Sequence, residues 1–471
     1  MQQGAHRANA MKHTLSVCLE TFLPVLLTFL SATAVAEVEV VVSPRITVVE
    51  RVGITGGGYP VIVGNRVLNF YPNHPDDFGG SNGIASAIST DGGMTWTKGR
   101  DNWPMSGMID LWAERLSNGN LFAFGIKWVP DPEKRREARL PDVPDDAYQI
   151  AVSEDHGESW KLAQARIDCP PEVGVIARPL AHVIEEESGL LLMPAYVWNK
   201  TGNKVVLLQS EDGGRVWTVR SVITTVVQMV RAGARVVTPW LEATVSPTRD
   251  GETLVVVRTG STVKSNFVSV RSADGGKTWE QPRVLSFAGK LPTLHLLQNG
   301  ILTLTTALSR NHCRVYLSSD GTGRNWSRAF VISSLTGGNV GAAIAGEDKL
   351  IVTSPANRRI DAWHLRIGPQ PLPAKTVNAP TNLKFKDGVL TWAASPNAVA
   401  YRVTPVLIKP GDLWPTTQVQ PYAAIEIPGD SCSLSLRRQL LLGSIYAFEV
   451  TAVDEKGRVS AAARSREFQL P

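Results

Sequence analysis

Cysteine is scarce in this chain: four in 471 residues, at positions 18, 169, 313 and 432. They are scattered too widely for a disulfide framework or for the paired spacing of a thiolate metal site. No stretch brings residues together at metal-ligand spacing, so no cofactor is implied. There is no Lys/Arg-rich stripe either. The formal charge of +5 is diffuse and partly due to the N-terminal leader, which excludes the electrostatic footprint of a nucleic-acid-binding protein. Near the N-terminus the apolar run Phe22 to Leu30 sits in a stretch broken by Glu20 and Pro24. It falls short of the ~20 apolar residues that a bilayer span needs, so no stable membrane insertion is expected of the mature chain. No disordered tail stands out.

That same run reads as part of a secretory signal. Met11 and Lys12 open it, the apolar core follows, and Ala34-Val35-Ala36 supplies a small-residue cleavage site. Residues 1–36 are therefore expected to be a signal peptide, the mature chain to begin near Glu37, and the protein to be secreted or otherwise extracytoplasmic. Of the rest, Gly 40, Pro 30 and Trp 13, with valine runs such as Val38 to Val42 and Val255 to Val257, point to turn-rich, all-β structure.

One pattern recurs along residues 60–360, S-x-D-x-G-x-x-W, the Asp box. Its copies are Ser89 to Trp96, Ser153 to Trp160, Ser210 to Trp217 and Ser272 to Trp279, with Ser318 to Trp326 carrying one extra residue. Ser and Asp side chains of such a motif bond the backbone of a tight turn, Gly takes positive φ and Trp packs between sheets. Asp91, Asp155, Asp212, Asp274 and Asp320 are thus expected to cap turns and not to catalyse. Between the boxes a hairpin turn recurs: Gly64-Asn65, Asn118-Gly119, Ser188-Gly189, Asp250-Gly251, Asn299-Gly300 and Glu347-Asp348. Six hairpins, five followed by an Asp box and the last by a strand near Ala362 to Ile367, predict a six-bladed β-propeller over residues 37–367. The strand Val38 to Val42 is available to complete the final blade.

Residues 368–378, beginning Gly-Pro-Gln-Pro-Leu-Pro, form a stiff linker. Residues 379–471 read as a small β-sandwich, with Trp392, Tyr401 and Tyr446 where core aromatics fall and a tyrosine corner around Tyr446. This module resembles a fibronectin type III domain.

In a propeller the residue leading into each innermost strand borders the central funnel. Counted back from the hairpin turns, with two extra residues allowed in the third blade, these residues are Tyr59, Asp110, Arg178, Glu242, Leu291 and Asn339. Two carboxylates, a guanidinium, a phenol and an amide suit a polar sugar, although buried ion pairs can also be purely structural. Trp103, Trp112, Trp128 and Trp198 could stack on sugar rings or, more commonly for tryptophan, fill core.

The segment Trp240 to Thr244, through Asp250-Gly251 to Val257-Arg258-Thr259-Gly260 and the fourth Asp box, resembles the sialidase superfamily, and the likeness covers roughly residues 45–367. The resemblance implies that Glu242 partners a nucleophile and that Arg258 and Arg310, with Arg314 as the alternative to Arg310, clamp a substrate carboxylate. It also implies that Asp76 or Asp77 supplies the acid/base group. A bidentate guanidinium suits a planar carboxylate. Two features depart from the pattern: Gly57-Gly58-Tyr59-Pro60 stands where the family has Arg-Ile-Pro, and Asn339 stands where it has the tyrosine nucleophile. Arg178 is the candidate substitute for the first arginine. The expected activity is an exported glycoside hydrolase acting on terminal acidic sugars through Glu242 with Asp77 or Asp110. The alternative is a propeller that binds glycans or proteins without chemistry.

Overall fold

The computed structural model describes residues 38–50, 56–73, 83–101, 103–129, 142–180, 182–238, 240–260, 262, 264–308, 311–356, 359–373, 377–410, 421–436, 439–441 and 443–470. Apart from one short helix, Val226–Arg231, the regular elements among them are β-strands. The fold is all-β: a six-bladed propeller followed by a small β-sandwich. Each blade is an antiparallel meander whose innermost strand comes first. The innermost strands are Tyr59–Val63, Asp110–Arg115, Val175–Pro179, Ala243–Pro247, Lys290–Leu296 and Gly341–Gly346. Five of the six hairpin turns read from the sequence join the first two strands of their blades, and Ser188-Gly189 joins a short strand, Ile184–Glu185, to the second strand of the third blade, Leu191–Trp198.

The Asp boxes lie between the third and fourth strands, and their hydrogen bonds explain the motif. In the first, Ser89 Oγ donates to Asp91 Oδ1 at 2.7 Å and accepts the Gly93 amide at 2.8 Å, while Asp91 accepts the amides of Met94 and Thr95 at 3.1 and 2.9 Å. Trp96 Nε1 then donates to Gly93 O at 2.9 Å, which turns the indole back over the turn. The long fifth copy keeps the same anchor, because Gly323 N still reaches Ser318 Oγ at 2.9 Å and Trp326 Nε1 still reaches Gly323 O at 3.0 Å. The extra residue is absorbed between them.

The box glycine faces the preceding blade. A Cβ on Gly157 would lie 2.3 Å from Leu68 Cδ1 in the first blade, and one on Gly323 would lie 2.5 Å from Leu254 Cδ2 in the fourth. Gly214, Gly276 and Gly93 meet Phe122, Leu207 and Ile351 in the same way, so the first box seats on the sixth blade. Between the second and third blades the outermost strands Lys161–Asp168 and Val216–Thr225 also pair in parallel.

Val38–Val42 pairs antiparallel with Arg359–Pro369 and is the fourth strand of the last blade, as the sequence predicts. It has a second partner. Val41 and Val42 pair in parallel with Ala424 and Ile425, so the sixth blade continues directly into a sheet of the C-terminal sandwich. The Pro-rich linker implies few contacts between propeller and sandwich. The observed sheet instead runs across that boundary. In the sandwich Tyr446 Oη accepts the Leu441 amide at 3.2 Å, the bond expected of a tyrosine corner, and Tyr401 Oη accepts the Ser395 amide at 2.7 Å.

The boxes generate two expectations. Ser210 is buried and accepts the buried Gly214 amide at 2.9 Å, so Ser210→Ala strands that amide at a cost of about 1–3 kcal/mol. A thermal melt should show a lower Tm with an unchanged far-UV spectrum. Asp91, Asp155 and Asp274 are held well below the usual carboxylate range, first by the side-chain hydroxyls of Thr95, Ser159 and Thr278. A depressed folded pKa adds stability above the unfolded value of about 3.9 and loses it as pH falls toward the folded one. Urea midpoints should therefore hold between pH 7 and 5 and fall progressively below about pH 4.

Candidate functional site

The lead-in residues gather where the inner strands begin. Glu242 directly precedes Ala243–Pro247, whose ladder with Thr253–Val257 starts at Ala243 opposite Val257. One step beyond, Arg258 N donates to Glu242 O at 2.7 Å, which places the two side chains across from each other. Arg258 Nη1 donates to Glu242 Oε2 at 2.5 Å and its Nε to Gly260 O at 3.2 Å. The same carboxylate oxygen accepts the Leu291 amide at 3.2 Å. Leu291 has φ of 32°, a left-handed conformation that costs a branched residue on the order of 1–3 kcal/mol, and this conformation aims its N–H at Glu242.

Arg178 reaches the same region from the third blade. A bulge at Ala177 shifts the register so that Arg178 stands opposite Tyr196. Its guanidinium forms an ion pair with Asp110 of the second blade and stands 5.7 Å above the Trp112 ring, which in turn meets the Tyr59 ring at a centroid distance of 5.1 Å. The four charged groups are almost wholly desolvated, with exposures of 1% for Asp110, 4% for Arg178 and 6% for both Glu242 and Arg258. Burial pushes the Glu242 carboxyl up, but Arg258, Arg178 and the Leu291 amide outweigh it and leave the group below its ordinary pKa. Glu242 is an anion at neutral pH.

Tyr196 is the residue that the sequence reading missed. It is fully buried, and its phenol is pushed up first by burial and also by the Glu242 charge, while Arg178 and Arg258 act the other way. Trp240 packs against it at a centroid distance of 6.2 Å and against Trp198 at 6.0 Å. The cross-strand position opposite Arg178 was the available signal, but it appears only once the bulge is known.

Of the residues predicted for the site, Tyr59, Asp110, Arg178, Glu242 and Arg258 come together. Asn339 contributes backbone: its carbonyl accepts the Gly57 amide at 2.8 Å, two residues before Tyr59. Asp76, Asp77 and Arg310 lie outside the described residues. Arg314 is buried in the fifth blade, where its charge acts on His312, Cys313 and Tyr422. Trp112 and Trp198 are buried, and Trp103 packs between Phe70 and Trp160, so these tryptophans serve as core. Among the described residues no three His, Cys, Asp or Glu side chains cluster as they would around a metal ion, and no helix is long and apolar enough to cross a membrane.

A family model for the BNR repeat-like domain matches residues 116–348, and one for the BNR/Asp-box repeat matches residues 87–98. No curated protein matches the sequence. Among solved structures, the chain is similar to Hadza microbial sialidase Hz136, with a TM-score of 0.51 and 14% identity over 68% of this chain and 66% of that one. It thus spans just under two thirds of that protein's length. It also aligns with a Trypanosoma rangeli sialidase in complex with the inhibitor DANA, with a TM-score of 0.45 and 10% identity over 86% of this chain and 83% of that one.

The pairing of Arg258 with Glu242 yields a double-mutant test. Arg258→Met leaves a buried carboxylate without its counter-ion and should cost about 3–5 kcal/mol in urea unfolding. Glu242→Leu in the same background should recover most of that loss, because an apolar pair needs no desolvation of charge.

Proposed function

We propose that this Asp-box propeller of the sialidase fold is an exported glycoside hydrolase that takes a terminal acidic sugar at the mouths of its inner strands. The observation that carries the reading is the Glu242 constellation. An ionised carboxylate, fixed by Arg258 and the strained Leu291 amide, stands in a desolvated setting beside a phenol and a second guanidinium. A fixed anion in low dielectric is suited to stabilise the positive charge that develops at an anomeric carbon. Arg258 and Arg178, already turned toward the same point, supply the positive field that a sugar carboxylate needs, and Tyr59 adds a half-exposed phenol at the rim.

Of the two candidates for the acid, Asp77 fits better than Asp110. Asp110 is buried and committed to its ion pair with Arg178, whereas an acid must face the leaving oxygen. Asp110 then serves to orient Arg178. No metal or organic cofactor enters this scheme.

One observation favours a second reading, a propeller that binds glycans without turning them over. Both guanidiniums are neutralised by buried carboxylates, so a sugar carboxylate has to compete with Glu242 and Asp110 for them. A panel of aryl sialosides, uronides and neutral glycosides separates the two. The hydrolase reading expects turnover of an acidic glycoside that Glu242→Gln lowers by roughly 100-fold or more with the fold intact. Glycan binding without turnover of any member would establish the binding propeller, and neither activity would remove both readings.

A further inference from the structure

The C-terminal sandwich touches two blades at once. Residues 421–425 run between the outermost strand of the fifth blade and that of the sixth. On one side, Val331 N donates to Pro421 O and Ala423 N to Val331 O, both at 2.9 Å. On the other, Ala424 and Ile425 pair with Val41 and Val42. At the centre is Tyr422, buried, with its hydroxyl in contact with that of Ser334 and 3.1 Å from that of Tyr446. The Ser334 amide in turn donates to Gln439 O at 3.3 Å. Backbone and side chain of Ser334 are therefore both held by the sandwich.

Ser334 is the first residue after the fifth blade's last strand, Phe330–Ser333. Residues 334–339 then cross to the sixth blade, and at the far end Asn339 O accepts the Gly57 amide at 2.8 Å in the stretch leading to Tyr59. The crossing includes Gly337 and Gly338, the latter at φ of 110°, so its own sequence gives it little stiffness. Its position is set by its attachments: Ser334 to the sandwich, Thr336 O to the Cys313 amide at 3.0 Å and Gly337 N to Pro355 O at 3.0 Å. The hydroxyl contacts and the bond from the Ser334 amide to Gln439 O are the ones a propeller without this module would lack.

We infer that the C-terminal sandwich is a positioning element for the funnel. Tyr422, through Ser334, fixes the crossing segment 334–339 and, through Asn339 and Gly57, the backbone that presents Tyr59. Tyr422 touches no sugar and is a positioning residue. Its effect on ligand affinity rests on the reading of the inner-strand mouths as a glycan site; its effect on the crossing segment does not.

Hydrogen exchange of the mature chain, followed by mass spectrometry, tests the mechanical link directly. Ser334→Ala removes the hydroxyl that both tyrosines can reach, Tyr422→Phe removes only the nearer phenol, and Trp392→Phe perturbs the sandwich core, where Trp392 packs on Tyr401, without removing any of these hydroxyls. Peptides covering 334–340 and 56–60 should exchange at least fivefold faster in Ser334→Ala and faster in Tyr422→Phe, with blades two to four unchanged and Trp392→Phe at the wild-type rate. Wild-type exchange at 334–340 in both hydroxyl variants overturns the inference, as does equal loosening in Trp392→Phe. Titration with free N-acetylneuraminic acid supplies the functional arm. A severalfold weaker Kd in Ser334→Ala with an unshifted Tm supports positioning of the site, and an unchanged Kd despite faster exchange overturns that half. If the wild-type chain binds none of the sugar, the glycan reading fails and the exchange result still decides the mechanical one.

Discussion

Everything in the propeller depends on a residue without a side chain. In each Asp box the glycine that accepts the tryptophan indole, or stands in its place, is where a side chain of the preceding blade seats. Ile351, Leu68, Phe122, Leu207 and Leu254 fill positions that a Cβ would occupy. The serine and aspartate of the box hold the turn in the one conformation that presents that glycine correctly, so a local hydrogen-bond motif sets the spacing between sheets. Side chains that pack at van der Waals distance tolerate little change in that spacing, and the inner strands inherit it. Groups from different blades can meet at the funnel because the turns at the opposite ends of the blades do not drift.

What they deliver there is charge in a place where charge is costly. Removing a carboxylate and a guanidinium from water carries a penalty that only close pairing and further hydrogen bonds repay. Glu242 has the Arg258 pair and the Leu291 amide, and Asp110 has Arg178. A strained Leu backbone in service of one hydrogen bond is the kind of local cost that a site sustains and a core does not need. Tyr196, enclosed by these charges, keeps its proton.

The fold was legible because its signals are local. Box and hairpin are each contained in fewer than a dozen residues, and their alternation counts the blades. The lead-in positions followed from counting back from the turns, and Glu242 and Arg258 are neighbours through a plain ladder step. Tyr196 was hidden because its place opposite Arg178 depends on the bulge at Ala177, and nothing in the residues around it announces an inserted position. The docking of the sandwich was hidden for another reason: Val41 and Val42 pair with Ala424 and Ile425 through the backbone, and parallel pairing between distant segments leaves no pattern in either. Pro369 ends the strand Arg359–Pro369 and carries no information about what lies beside that strand.

The strand Val38–Val42 has a temporal side as well. It leaves the ribosome long before either of its partners, Arg359–Pro369 and Ala424–Ile425. Until they follow, this valine-rich strand has neither of these edges to join, and contacts of such long sequence separation form slowly. The sixth blade therefore cannot close its outer edge until Arg359–Pro369 is made, and until then the chain carries an unpaired, strongly β-forming segment of the kind that chaperones cover and aggregates recruit.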